Sequence, residues 1–283
     1  MVFSIIAQIY CRHNLATNGS SEALEKLIAS IQDLIFNLSL RMLGNISDAE
    51  DATQEILIKV ITNLSTFRKE SKFTTWVYRI AVNYLTGYKK SMFSHYPLSF
   101  EYYGNDIAMK NTESTDDLYL SVEKEELAKE LKQSCTNVML QCLDAQSRCI
   151  FVLGTMFKVD SRIAGEILDM TPDNYRKKLS RIRQKMAGFL SYYCGLTETG
   201  FCSCNERIGY AIKRNRLNPQ KLEYSNLKKY NDEELMAFTE NMETLDEMAS
   251  IFSDLPTYKS PMSAKVFIAQ LIKSSHMKLI LNF

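Results

Sequence analysis

Leu24, Leu27, Ile28, Ile31, Leu34, Ile35 and Leu38 recur every three or four residues. That spacing puts them on one face of a helix, and the face has to be buried against a neighbour. The same period recurs along most of the chain. No stretch shows the strict alternation of a half-buried strand, and only 10 Gly and 5 Pro interrupt 283 residues. The expected fold class is therefore all-α. The length suggests two or three modules, and 46% hydrophobic residues allow each of them a core. No internal repeat is present.

The first helix is predicted over residues 22–43, stopped by Gly44. The second is predicted from Ser47, where "SDAE" has the form of a capping box. Ala49, Ala52, Ile56, Val60 and Leu64 line one of its faces, and Asp48, Asp51 and Glu55 another. A third helix covers residues 74–88. Phe73, Trp76, Val77, Ile80, Ala81, Tyr84, Leu85 and Tyr88 form its apolar stripe, with Thr75, Arg79, Asn83, Thr86 and Lys90 opposite and Tyr78 and Val82 beside them. Residues 92–122 are polar, acidic and aperiodic, with turn signals at Pro97 and Gly104, and form the expected linker. A second helical module spans residues 123–193.

Within that module, "DSRIAGEILDMTPDNYRKKLSRIRQKM" places a short helix, 161–168, before the turn "DMT". Thr171 caps the next helix and Pro172 takes its first position, where the missing N–H costs nothing. Tyr175, Leu179, Ile182 and Met186 point inward, leaving Asn174, Lys177, Lys178, Arg181 and Lys185 outside. This is a helix-turn-helix pattern with a basic, amide-bearing second helix, suited to the major groove and its phosphates. A solvated basic face is the plainer alternative. For the helix of residues 74–88, aromatics beside basic groups suit a single strand, with bases on rings and lysines along the backbone. Residues 194–283 add a cysteine-containing stretch, a basic stretch (207–229), an amphipathic helix near 232–252 and a last helix near 263–273.

The net charge of +1 excludes no partner, because the charge is unevenly spread. The N-terminal run "MVFSIIAQIYCRH" lacks a basic n-region and a cleavage pattern, so residues 1–21 are taken as a lead-in and not as a signal peptide. No stretch approaches the roughly 18 apolar residues of a membrane span, and a cytoplasmic location is expected. There is no Gly-rich phosphate loop and no Ser/His/Asp arrangement, so no enzyme activity is expected.

Together, "DAEDATQEILIKVITNLSTFRKESKFTTWVYRIAVNYLTGYKK" and residues 160–186 resemble regions 2 and 4 of extracytoplasmic-function (ECF) sigma factors. The resemblance covers about residues 22–193. It implies a region 2 bundle (22–91), a flexible linker (92–122), a region 4 helix-turn-helix (123–193) and a helical C-terminal extension (194–283). It implies that Asp48, Glu50, Asp51, Gln54 and Glu55 dock on the β′ clamp helices of core RNA polymerase, with the β flap as a further contact. Lys72, Phe73, Thr74, Arg79, Asn83, Lys89 and Lys90 would recognise and open the −10 promoter element. Thr171, Asp173, Asn174, Arg176, Lys177 and Arg181 would read the −35 element as duplex. An anti-sigma factor is a further partner of such proteins.

The extension departs from the usual ECF length. Its cysteines resemble those of an ECF subgroup, at Cys142, Cys194, Cys202 and Cys204. Four thiolates could hold Zn²⁺ tetrahedrally, could instead form a redox switch, or could be plain thiols. Cys135 and Cys149 are weaker substitutes, and no cofactor is required for the core function. Two rivals to the sigma reading are a stand-alone helix-turn-helix regulator and a thiol redox protein using Cys202 and Cys204.

Overall fold

The structure is a computed structural model, and it describes residues 20–88, 92–109, 121–197, 199–229, 250–253 and 255–273. The described residues are helical, with isolated bridges but no β-strands among them.

The N-terminal bundle begins with α1 (Ser21–Ala29) and α2 (Gln32–Leu43). These replace the single helix expected over 22–43. Neither Gly nor Pro breaks it; Ser30 does, with its Oγ donating to the Leu27 carbonyl at 2.6 Å. A serine that back-bonds its own turn offers the backbone an alternative to continuing. Gly44 closes α2 at φ +83°, in the left-handed region that glycine adopts without strain. The next helix, α3 (Ile46–Thr62), starts one residue before the expected Ser47. Its cap is Asn45, whose Oδ1 accepts from Asp48 N at 2.8 Å while its Nδ2 donates to Asp48 Oδ2 at 2.7 Å. The reciprocal cap is thus Asn45 with Asp48, and not Ser47 with Glu50. Helix α4 (Phe73–Thr86) packs on α2 and α3.

The expected linker is partly ordered structure. A single turn at Met92–His95 leads to α5 (Phe100–Ala108), capped by Ser99. Tyr103 and Ile107 on α5 are buried in the main core. Asp106 faces the other way and collects Arg207, Arg216 and Tyr210, whose hydroxyl donates at 2.7 Å. Burial pushes the Asp106 carboxyl up, and the hydrogen bonds from Arg216 and Tyr210 more than offset that, leaving it below the usual carboxylate value.

The second module contains α6 (Ser121–Leu140), α7 (Ala145–Phe151), α8 (Ser161–Leu168) and α9 (Pro172–Tyr193). A π-turn, Val152–Met156, prolongs α7. Arg183 donates to Thr155 Oγ1 and to the Gly154 carbonyl at 3.1 Å each, which meets part of the backbone demand that a π-turn creates. Then come α10 (Ile208–Lys213), a single turn at Ser250–Ser253 and α11 (Ala264–Lys273). The amphipathic helix expected near 232–252 lies mostly outside the described residues; Phe252, at its end, is 1% exposed and edge-on to Phe151 at 5.2 Å.

One continuous core runs from Leu24 through both modules to Leu271. Arg148 joins them. Its Nε donates to the Leu140 carbonyl at 3.0 Å, Nη2 to Leu143 at 2.8 Å, and Nη1 to Met42 at the end of α2. Burial lowers its pKa to about 10, so it remains charged at neutral pH. Arg148→Met would leave these carbonyls without their donor. At about 1–3 kcal/mol for each group left unsatisfied, we expect a loss of about 3 kcal/mol. Urea titration should show a lower midpoint with an unchanged slope.

Candidate nucleic-acid and polymerase interface

Helix α3 buries Ala49, Ala52, Thr53, Ile56, Leu57 and Val60 and turns its acidic side outward. Asp51, Gln54 and Glu55 are exposed, and Asp48 and Glu50 are half-buried. Burial, and then the Asp51 charge, raise the Glu50 carboxyl above its ordinary value. Lys59 is the only basic residue of the helix, so its first three turns form an acidic ridge. Beside it, Trp76, Ile80, Tyr84 and Tyr88 line an open groove of about 790 Å³. The sequence pattern places this stripe in the core, yet all four side chains are only half-buried. Lys59 Nζ stands 5.6 Å from the centre of the Tyr84 ring. Burial and the nearby carboxylates, Asp48 foremost, push the Tyr88 phenol up to about 12, which places ridge and groove side by side.

The loop before α4 is held by an aromatic trio. Phe67 lies 5.3 Å from Phe73 and 5.4 Å from Trp76, and Phe73 lies 5.6 Å from Trp76. Phe73 is 3% exposed, so its ring anchors the loop. Lys72 is exposed and Thr74 half-buried at the start of the helix. Arg79 and Asn83 are exposed, and they line a cleft of about 430 Å³ whose other wall includes Ile167, Leu168 and Asp169. Tyr78 and Thr75 belong to the side expected to be open, yet both are buried; Tyr78 meets Phe157 at 6.4 Å. The reason is that α8 packs directly on α4. Lys89 and Lys90 lie outside the described residues.

The helix-turn-helix has the predicted bounds. Gly165 allows the turn to close, since a Cβ there would sit 2.6 Å from the Met170 carbonyl oxygen. Asp169 ends α8 in the left-handed region at φ 52°, and Thr171 Oγ1 accepts from Asn174 N at 3.3 Å. Tyr175 is buried and donates to the Ile150 carbonyl at 3.1 Å. Thr171, Asp173, Asn174, Arg176, Lys177 and Arg181 are all exposed on one outer face. Arg176 is held over the turn by Asp173 and by Ser161 Oγ at 3.0 Å.

The cysteines group differently from the sequence reading. Cys135, Cys194, Cys202 and Cys204 line one small cavity of about 20 Å³. Cys142 is not among them; it is buried near Arg148 and Lys185. The loop carrying Cys194 and Cys202 is drawn tight, and a Cβ on Gly195 would fall 1.9 Å from the Cys202 carbonyl oxygen. The Tyr103 hydroxyl lies 3.0 Å from Cys135 Sγ. Among the described residues, no three His, Cys, Asp or Glu side chains are gathered as metal ligands. The Zn²⁺ set Cys142, Cys194, Cys202 and Cys204 therefore does not fit this arrangement. Burial pushes the Cys135 thiol up to about 12 and Cys202 up to about 11, so neither is a ready thiolate.

Residues 27–91, which carry the acidic ridge, the loop and α4, match Sigma-70 region 2. Over 168 residues the chain is 28% identical to the ECF RNA polymerase sigma factor SigW of Bacillus subtilis, an alignment covering 59% of this chain and 89% of that protein. The chain is thus similar to ECF sigma factors. Two further relatives are the RNA polymerase sigma-H factor of Pseudomonas aeruginosa, 32% identical over 38% of this chain and 58% of that protein, and the ECF RNA polymerase sigma-E factor of Escherichia coli K12, 32% identical over 37% of this chain and 58% of that protein. The fold also uses residues that periodicity alone did not single out. Asn37, Arg41 and Glu130 are polar yet buried, and only their positions on apolar helix faces could have marked them.

The thiols give a pH prediction. Burial holds Cys135, Cys142 and Cys149 neutral up to about 12, against 9.0 for an ordinary thiol. The native state thus keeps protons that the unfolded chain releases. Their contribution to stability should be fully present below about pH 9 and be lost as pH approaches 12. Thermal melts across this range should fall, and less steeply in Cys149→Ala.

Proposed function

We propose that this sigma factor binds core RNA polymerase through Asp48, Glu50, Asp51, Gln54 and Glu55 and directs it to a promoter class. The observation that carries the reading is the exposed acidic ridge on α3, inside the segment that matches region 2. A row of carboxylates next to an aromatic groove suits a basic, partly apolar protein surface such as the β′ clamp helices. Lys72, Thr74, Arg79 and Asn83 serve the −10 element together with Lys89 and Lys90, while Phe73 holds the loop. Residues 22–91 form region 2, 92–122 the connection, 123–193 region 4 and 194–283 the extension. In region 4, Asn174 and Arg176 reach base edges, while Lys177 and Arg181 contact phosphate. Core polymerase, its β flap and promoter DNA are the partners, with an anti-sigma factor as a further one. No described helix is long and apolar enough to cross a membrane.

Capture of core polymerase tests the docking surface. At moderate salt the wild-type chain should retain core, and Asp51→Arg/Glu55→Arg should not. If neither retains it while the free protein shifts a palindromic duplex, the stand-alone regulator replaces this reading. For the −35 contacts, Lys177→Ala should weaken duplex binding about equally across sequences and reduce the salt slope by about 1. Arg176→Ala should instead relax sequence preference.

A further inference from the structure

Helix α2 carries Asp33, Asn37 and Arg41 on one face, and all three hold the C-terminal segment. Asn37 Nδ2 donates to the Tyr258 carbonyl at 2.7 Å, and Tyr258 N donates back to Asn37 Oδ1 at 2.9 Å. Ser260 N donates to Asp33 Oδ1 at 2.7 Å. Arg41, 2% exposed, donates to the Pro256 carbonyl at 2.6 Å and to Asn137 Oδ1 on α6 at 2.7 Å. One buried cation therefore joins the N-terminal bundle, the second module and the tail. On either side of this junction, Phe252 packs on Phe151 of α7, and α11 packs on α1.

This junction acts together with Arg148 and the shared core to set where the helix-turn-helix stands. With the modules so joined, α8 lies on α4, burying Thr75, Tyr78 and Val82 and leaving Arg79 and Asn83 at the rim of a cleft. Elements centred 10 and 35 base pairs upstream of a start site are about 85 Å apart on B-form DNA, at about 3.4 Å per pair. A compact chain of this length is only about 50 Å across, and its two DNA-reading helices here belong to modules in direct contact. This arrangement cannot read both elements at once.

We propose that the segment 255–273 is a latch that keeps the sigma factor closed, and that its release from Asp33, Asn37 and Arg41 frees α4 and the helix-turn-helix together. The proposal rests on the promoter reading given above. The experiment places bio-orthogonal donor and acceptor labels at Ser65 and Ser180, both exposed, in the full chain. Energy transfer in the wild type alone should be high. It should fall in Asn37→Ala, and that variant should bind a single-stranded −10 oligonucleotide about tenfold more tightly. Transfer should also fall when the wild type joins core polymerase and promoter DNA. A folded Asn37→Ala with unchanged transfer overturns the latch. So does a wild-type promoter complex that keeps the transfer of the free protein, and this measurement decides the matter if Asn37→Ala does not fold. Opening without any gain in DNA binding supports the latch and counts against the −10 assignment.

Discussion

Two arginines hold the halves of this chain together, Arg41 fully buried and Arg148 half-buried. Arg148 spends its guanidinium on carbonyls at the ends of α2 and α6, and Arg41 divides its own between Asn137 and Pro256. A buried charge is tolerated only when its donors are met. Each arginine therefore makes several distant backbone positions mutually dependent. A charge that needs acceptors from two segments cannot be satisfied when either of them leaves, so the modules, the tail and the helix ends they share form one arrangement.

Much of the local structure was legible in the sequence. The helix-turn-helix bounds followed from Thr171, Pro172 and the apolar period, because caps and breakers act within a turn of the chain. The acidic ridge was legible for the same reason: Asp48, Asp51 and Glu55 are spaced by one helix. What failed was local competition between near-equal choices. Asn45 outdid Ser47 as a cap because its amide both accepts from and donates to Asp48. Ser30 split a helix whose hydrophobic pattern ran straight through it.

The other misreadings share a cause, which is contact between distant parts of the chain. Tyr78 and Thr75 look outward on an isolated α4, and only the packing of α8 buries them. Cys135 joins Cys194, Cys202 and Cys204 because α6 runs beside the tight Cys194–Cys202 loop, and no spacing rule connects positions so far apart. Trp76 errs in the opposite sense. Its stripe is apolar enough for a core, but no described element closes over it, and it becomes one wall of a groove next to the acidic ridge.

Asn37 recognises the main chain of Tyr258 and no part of its side chain. The side chain is held separately: the Tyr258 ring is fully buried beside Phe36, Leu40 and Tyr224, with Arg41 6.0 Å from its centre. The seat thus reads the tail twice, by its backbone through Asn37 and by its ring through the apolar face of the same helix. Across related chains, the trace of such a seat would be an acid, an asparagine and an arginine four residues apart on an otherwise apolar helix face, as Asp33, Asn37 and Arg41 are here.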